Sequence, residues 1–325
     1  MRENAPHLTA LLAYLDTALP DALLAWNNWH VSPIAGGANN RLYRAANGEQ
    51  TCAIKLTIRD ERDRAGREYA ALRVIKAAGA DFAPRAVLLD RDTYRQPVIV
   101  QSWLDGNVLA APPHSAAQWD ALMQHYCAIH RITPERTPVV LRPATINVAS
   151  GKAGKVFIRE HAERIPHAAR PTSLAALLKQ VEAWQPPEWA APPVALCRVD
   201  SNWRNFIVRP TTGWASVDWE NSGWGDPAFE WADLMTHPSY PSDAPWQELV
   251  DQYAAQMNDI TAPLRIQTYY AIMLAWWVVR MARFLYEVPR GLDPRLVVRP
   301  ANWQEQAQRQ YDDFLARATL TLGHS

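Results

Sequence analysis

In Leu196-Cys197-Arg198-Val199-Asp200-Ser201-Asn202-Trp203-Arg204-Asn205-Phe206-Ile207-Val208, one apolar run ends at an aspartate and a second begins just after an asparagine. Further on, Val217-Asp218-Trp219-Glu220 puts another aspartate at the end of an apolar strand. Taken singly, such residues at strand ends are ordinary turn formers. Taken together they are the set that phosphoryl transfer needs. One carboxylate orients a hydroxyl and accepts its proton; an amide and a second carboxylate hold Mg²⁺ against nucleotide phosphates.

Working upstream, Lys55 lies inside Cys52-Ala53-Ile54-Lys55-Leu56, an otherwise apolar strand in which a lone ammonium is poorly solvated. Glu68 follows on a charged, alanine-rich helix. A strand lysine paired with a helix glutamate grips the α- and β-phosphates of a nucleotide. The plain alternatives are an edge-strand lysine reaching solvent and an exposed helix charge, and Glu61 looks much like Glu68.

The surrounding pattern predicts a helix over 7–19 and strands over 41–46 and 51–57, joined through Asn47-Gly48, a strong hairpin signal. A helix over 60–78 stops at Gly79, and strands follow over 86–90 and 97–103. After Asp105-Gly106 the texture turns helical, with helices over 115–131 and 173–184. Between these two, 133–171 has little periodicity and several prolines and reads as loop with short elements. Short strands over 194–199, 205–208 and 214–217 precede helical patterns that run from 228 onward.

Composition narrows the class. The 325 residues carry 33 Lys+Arg against 33 Asp+Glu, and the pI is near 7.1, which argues against a general nucleic-acid binder. The longest apolar stretch, 269–279, is too short for a membrane span, and the N-terminus lacks the profile of a secretory signal peptide. Cys52, Cys127 and Cys197 are widely separated, which fits neither a disulfide framework nor a zinc site and predicts a cytoplasmic home. Fifteen tryptophans stand out, and tryptophan builds both cores and binding surfaces.

On these motifs the chain resembles the aminoglycoside phosphotransferase and choline kinase family. That family's H-G-D-x-x-x-x-N pattern is matched at Asp200 and Asn205, and its I-D-W/F-E segment at 217–220. Its G-D-P-x-x-D-L-A pattern is echoed by Gly225-Asp226-Pro227, Glu230 and Asp233-Leu234. The segment from Gly36 to Arg44 resembles its nucleotide-covering loop.

The resemblance implies an α+β, bilobal protein-kinase-like fold: a small β-rich nucleotide-binding lobe with hinge at 1–104, and a larger, mostly helical catalytic and acceptor-binding lobe at 105–325. It implies an ATP-dependent, Mg²⁺-requiring transfer of the γ-phosphate to a hydroxyl of a small molecule, aminoglycoside-like, amino-alcohol or sugar-like. Asp200 is then the catalytic base, Asn205 and Asp218 the metal ligands, and Lys55 with Glu68 the phosphate clamp. Gly36, Gly37 and Asn39 cover the nucleotide, and Ser102 and Leu104 offer hinge backbone groups to adenine.

For the acceptor, Asp226 and Glu230 offer carboxylates, with local capping as the alternative for both. Trp276 offers an aromatic face to an amine. No nucleic-acid or membrane partner is expected, and oligomeric state is left open. Two departures stand in the catalytic motif: Arg198 replaces its histidine and Val199 its glycine. Valine resists positive φ, so the turn there is expected to change. This motivates the alternative of a non-catalytic nucleotide-binding pseudokinase module with a drifted loop.

Overall fold

The computed structural model describes residues 5–17, 24–34, 40–210, 213–292 and 301–323. In chain order these form α1 (Ala5–Thr17), β1 (Leu24–Trp26), β2 (Trp29–Pro33), β3 (Arg41–Ala46), β4 (Thr51–Leu56), α2 (Arg64–Ala77), β5 (Ala86–Asp90), β6 (Val98–Ser102) and β7 (Asn107–Val108). Then follow α3 (Ala116–His130), α4 (Gly151–Ala162), α5 (Thr172–Ala183), β8 (Ala195–Cys197), β9 (Phe206–Arg209), β10 (Gly213–Ser216) and β11 (Gly223–Gly225). The chain ends in α6 (Pro227–Thr236), α7 (Trp246–Met257), α8 (Ala262–Glu287) and α9 (Trp303–Gly323). This is the expected mixture of a β-rich first part and a mostly helical remainder.

The chain divides into two compact units. The first comprises Met1–Leu109, Glu135–Thr145 and Arg204–Gly223; the second comprises Ala110–Pro134, Ile146–Trp203 and Trp224–Ser325. Asn205 and Asp218 therefore belong to the same unit as Lys55 and Glu68, whereas Asp200 belongs to the other.

In the first unit, an antiparallel six-stranded sheet runs in the order β1-β2-β3-β4-β6-β5. Its β3–β4 hairpin closes where the sequence signals it. Gly48 takes φ +84, and the Asn47 side-chain oxygen accepts the N–H groups of Glu49 (3.2 Å) and Gln50 (3.0 Å). Alternation along β4 sends Cys52, Ile54 and Leu56 into a core capped by Leu8, Leu11, Leu12 and Leu15 of α1. Each buried leucine contributes roughly 1.5–3 kcal/mol against exposure. Lys55, one residue out of step with that set, points to the opposite face.

Helix α2 begins four residues later than the pattern predicts. Asp63 caps it from a left-handed conformation (φ 49), accepting the Gly66 N–H at 3.3 Å, so 60–63 form a turn instead. Its C-terminal end agrees with the prediction: Gly79 takes φ +74. A second, three-stranded sheet of the same unit orders β10-β9-β7.

The second unit is built around α8, which packs against α4, α6 and α9. Helix α4 is longer than the short elements expected within the loop over 133–171. Its buried face is Gly151, Gly154, Ile158 and Ala162, at helical spacing but almost without large apolar residues. The small residues allow close approach to α8: a Cβ on Gly154 would lie 2.1 Å from Ile272 Cδ1. Ser150 caps the helix by accepting the Ala153 N–H at 3.1 Å. No described helix is long and apolar enough to cross a membrane.

Candidate active site

In the first unit, Lys55 Nζ lies 2.9 Å from Glu68 Oε2 and 3.0 Å from Glu220 Oε2, and it donates to Asp218 Oδ1. Burial alone would push the lysine pKa down. The carboxylates of Asp218, Glu68 and Glu220 outweigh that and hold it well above the usual value. Glu68 is fully buried and its pKa rises, because burial prevails over the attraction of Lys55. Its other oxygen accepts the Trp219 N–H at 3.3 Å. Burial also works against Glu220, yet the cations Lys55 and Arg64 bring its pKa below the ordinary range.

Asp218 is the one acid of this group with a partly exposed side chain, at 31%. Its backbone is left-handed (φ 64), a conformation that aspartate tolerates better than most residues. The following Trp219 is fully buried and stacks on Phe82 with centroids 6.2 Å apart, while its indole N–H donates to Ser216 O at 2.9 Å. Asp218 and Glu220 flank that anchor. Asn205 enters β9 opposite the same segment, its carbonyl accepting the Val217 N–H at 2.9 Å. Carboxylate oxygens of Glu68, Asp218 and Glu220 lie within 4.8 Å of one another, a hard-oxygen donor set that suits Mg²⁺.

At the predicted hinge, Ser102 ends β6. Its N–H donates to Arg85 O and its hydroxyl accepts the Arg85 N–H, both at 2.9 Å. Leu104 is half-buried just beyond. Gly36, Gly37 and Asn39 lie outside the described residues. The next residue, Asn40, donates its amide to Glu220 Oε2 at 2.7 Å.

In the second unit, Asp200 follows β8, and its Oδ1 accepts the Asn202 N–H at 3.3 Å. Val199 does take a left-handed conformation (φ 52), contrary to the expectation from its β-branched side chain. The compensation comes from Glu230, whose Oε1 accepts the backbone N–H groups of Arg198 (2.7 Å) and Val199 (2.8 Å). The Arg198 guanidinium is fully buried; the Tyr126 phenol beside it and the carboxylates of Asp200 and Glu230 counter its desolvation and keep its pKa up. Ser201 donates to Asp233 Oδ2 at 2.8 Å.

Glu230 and Asp226, offered by the sequence for acceptor contact or local capping, both bond to groups of the fold itself. Glu230 is fully buried, with its second oxygen 2.8 Å from His130 Nε2. Asp226 caps α6, accepting the Ala228 N–H at 2.9 Å. It also pairs with Arg265 (2.9 and 3.1 Å) and accepts the Tyr269 hydroxyl at 3.0 Å. Capping, one of the two readings, is seen for Asp226. Trp276 is 5% exposed, stacked on Phe157, with the Arg280 guanidinium 5.3 Å over its ring.

Sequence reading passed over Glu220 and Arg64. Glu220 closes the same four-residue motif as Asp218, which was the signal available for it. Arg64, which pairs with Glu220, carried no such signal.

The model of the phosphotransferase enzyme family matches residues 30–266. No curated protein sequence matches the chain. Among solved structures, it is similar to a protein from Ralstonia eutropha JMP134 provisionally described as an aminoglycoside phosphotransferase. That pair has TM-score 0.68 and 15% identity, covering 98% of each chain. It is also similar to aminoglycoside 2′-phosphotransferase-IIIa in its GDP complex (TM-score 0.61, 13% identity, 97% of this chain and 99% of that one). A third is choline kinase LicA from Streptococcus pneumoniae (TM-score 0.56, 15% identity, 96% and 99%). The architecture is accordingly the kinase-like α+β fold of these enzymes. With its Lys55–Glu68–Asp218 cluster and its loop through Asp200, the chain belongs to the phosphotransferase enzyme family.

Proposed function

We propose that this protein transfers the γ-phosphoryl group of ATP to a hydroxyl of a small molecule, using Mg²⁺. The observation that carries the reading is the buried Lys55 held among Glu68, Asp218 and Glu220. A cation kept charged at such a cost in desolvation is suited to gripping phosphate oxygens. Asp218 and Asn205 would hold the metal, which when bound neutralises phosphate charge as the terminal group is transferred. Asp200 orients the attacking hydroxyl and accepts its proton at a carboxylate oxygen. Lys55, kept in place by Glu68, offsets the charge of the donor phosphates. The first unit is read as the nucleotide grip, with the Ser102–Leu104 segment at adenine, and the second as the carrier of Asp200 and the acceptor contacts.

Related structures support a nucleotide donor and a small acceptor. One of them, the aminoglycoside phosphotransferase APH(4)-Ia, is described in a ternary complex with ADP and hygromycin B. The pseudokinase alternative was motivated by both departures, Arg198 and Val199. The left-handed Val199 answers only the part that concerns the loop's turn. Three buried free thiols, Cys52, Cys127 and Cys197, accord with a reducing cytoplasm.

The test is acceptor-dependent ADP release from ATP and Mg²⁺ over a broad panel of hydroxyl compounds, alongside the Asp200→Ala and Asp218→Ala proteins. Asp200→Ala is expected to lower turnover by roughly 10²–10⁴-fold. Turnover equal to wild type in both variants would overturn the assignment.

A further inference from the structure

An ammonium has three N–H donors, and in the first unit that of Lys55 is surrounded by as many carboxylates, those of Glu68, Glu220 and Asp218. To take a phosphate oxygen, Lys55 has to part from one of them. Their surroundings decide which. Glu68 is fully buried, and its other oxygen accepts the Trp219 N–H at 3.3 Å. The Glu220 side chain is 6% exposed and is held at both oxygens. Its Oε1 accepts from Arg64 Nη1, and its Oε2 accepts the Asn40 amide at 2.7 Å, beside Lys55 at 3.0 Å. Asp218 is partly exposed, and Lys55 is the one donor on its carboxylate among the described residues. Asp218 is therefore the acid that lets go.

What fixes Glu220 is Arg64, in the first turn of α2 and four residues before Glu68. Its guanidinium is buried and spans two acids: Nε donates to Asp60 Oδ2 at 3.0 Å, and Nη1 to Glu220 Oε1. Asp60 is anchored in turn, its Oδ1 accepting the Arg62 N–H at 3.2 Å. Arg64 and Glu68, neighbours on one face of one helix, thus reach Glu220 and the Trp219 backbone of the segment that carries Asp218. Buried ion pairs add little net stability, because desolvation consumes most of their attraction. The line Asp60–Arg64–Glu220–Lys55 is better explained by the position it imposes on the lysine.

We propose that Glu220 and Arg64 are positioning residues of the phosphate grip. Arg64 fixes Glu220, and Glu220 with Glu68 keeps the Lys55 ammonium in place when Asp218 turns away. The lysine then meets the donor phosphates without having to reorganise. This rests on the phosphotransferase reading, and both residues act through Lys55.

The experiment uses the full chain and measures binding of ADP–Mg²⁺ and of adenosine by calorimetry. Adenosine has no phosphate for Lys55, so it reports on the rest of the nucleotide site. Arg64→Met and Glu220→Gln are each expected to weaken ADP–Mg²⁺ roughly tenfold, with adenosine unchanged within about twofold. Arg64→Lys keeps a cation for Glu220 and should recover part of the loss. The double variant Arg64→Met/Glu220→Gln should lose no more than the worse single variant, since both changes act on one tether. It removes both charges of the buried pair and carries the test if Arg64→Met does not fold. Wild-type ADP–Mg²⁺ affinity in the double variant overturns the proposal. So does an equal loss for adenosine, which marks general disruption of the site. In both cases a wild-type protein that binds ADP–Mg²⁺ leaves the phosphotransferase reading standing. A wild-type protein that binds neither ADP–Mg²⁺ nor ATP–Mg²⁺ overturns that reading and this proposal with it.

Discussion

Glu230 holds Val199 in the left-handed region: a single carboxylate oxygen accepts the N–H groups of Val199 and Arg198, 31 and 32 residues earlier in the chain. A β-branched residue at positive φ costs on the order of 1–3 kcal/mol, and two charge-assisted hydrogen bonds are of the size needed to offset it. His130 holds the carboxylate from the other side and is itself 2.9 Å from the Tyr253 hydroxyl. The turn that leads into Asp200 therefore depends on a buried carboxylate of α6.

Glu230→Ala is expected to lower kcat roughly 10–100-fold by letting Asp200 drift. Nucleotide affinity, measured by titration, should stay within about twofold. Glu230→Gln keeps an oxygen to accept both N–H groups and should recover part of the rate. A wild-type kcat in Glu230→Ala would show that Val199 holds its turn unaided.

Removing Lys55 leaves Glu68 and Glu220 buried without their shared cation. Lys55→Met should cost about 3–5 kcal/mol in urea unfolding. The double variant Lys55→Met/Glu68→Gln should lose less than the sum of the two single changes, because one buried charge leaves with the other. Strict additivity would mean that the pair is not coupled.

Asp233 gives the fold a pH signature. Burial raises its pKa to about 6, against the opposing hydrogen bond from Ser201. The folded state therefore keeps this proton at pH values where the unfolded chain has lost it. This contribution to stability is intact below about pH 4 and is lost as pH rises through about 6. A carboxyl raised that far above its ordinary range carries a linkage of about 3 kcal/mol. Asp233→Asn keeps an acceptor for Ser201 and carries no charge. Its advantage over wild type in urea unfolding should grow between pH 4 and pH 7, and a pH-independent difference would contradict the linkage.

Gly154 sets how closely α4 approaches α8. A Cβ there meets Ile272 at Cδ1 (2.1 Å), Cγ1 (2.7 Å) and Cγ2 (3.1 Å), so a rotamer change alone does not make room. Gly154→Ala should destabilise by about 1–3 kcal/mol despite alanine's better helix propensity. In a double-mutant cycle, Ile272→Ala should remove most of that penalty. Independent effects would place the strain elsewhere.

The β3–β4 hairpin was legible because Asn47-Gly48 is a local instruction, and β5 because its apolar run is short and bounded. Lys55 and Asp218 stood out because an isolated lysine in an apolar strand and an aspartate closing one are unusual wherever they occur, whereas Glu68 looked much like Glu61 until the fold paired it with Lys55. Helix α4 was not legible, since Gly151, Gly154 and Ala162 bury a face without announcing it by hydrophobicity.

By itself the sequence determined the β-rich first part and helical remainder, the hairpin turn, the placement of Lys55 in a strand and Glu68 on a helix, and the family. These rest on short-range patterns, on the conformational preferences of glycine and asparagine, and on motifs that tolerate few substitutions. Only the tertiary structure decided that Glu220 joins the lysine cluster and that Val199 takes positive φ. It also decided that Asp226 and Glu230 bond within the fold and that Arg280 lies over Trp276. Whether a charge is displayed or consumed depends on its partners. Most of these partners are distant in sequence: Arg265 for Asp226, the Val199 backbone for Glu230, and the packing of α6 and α4 on α8 around Arg280.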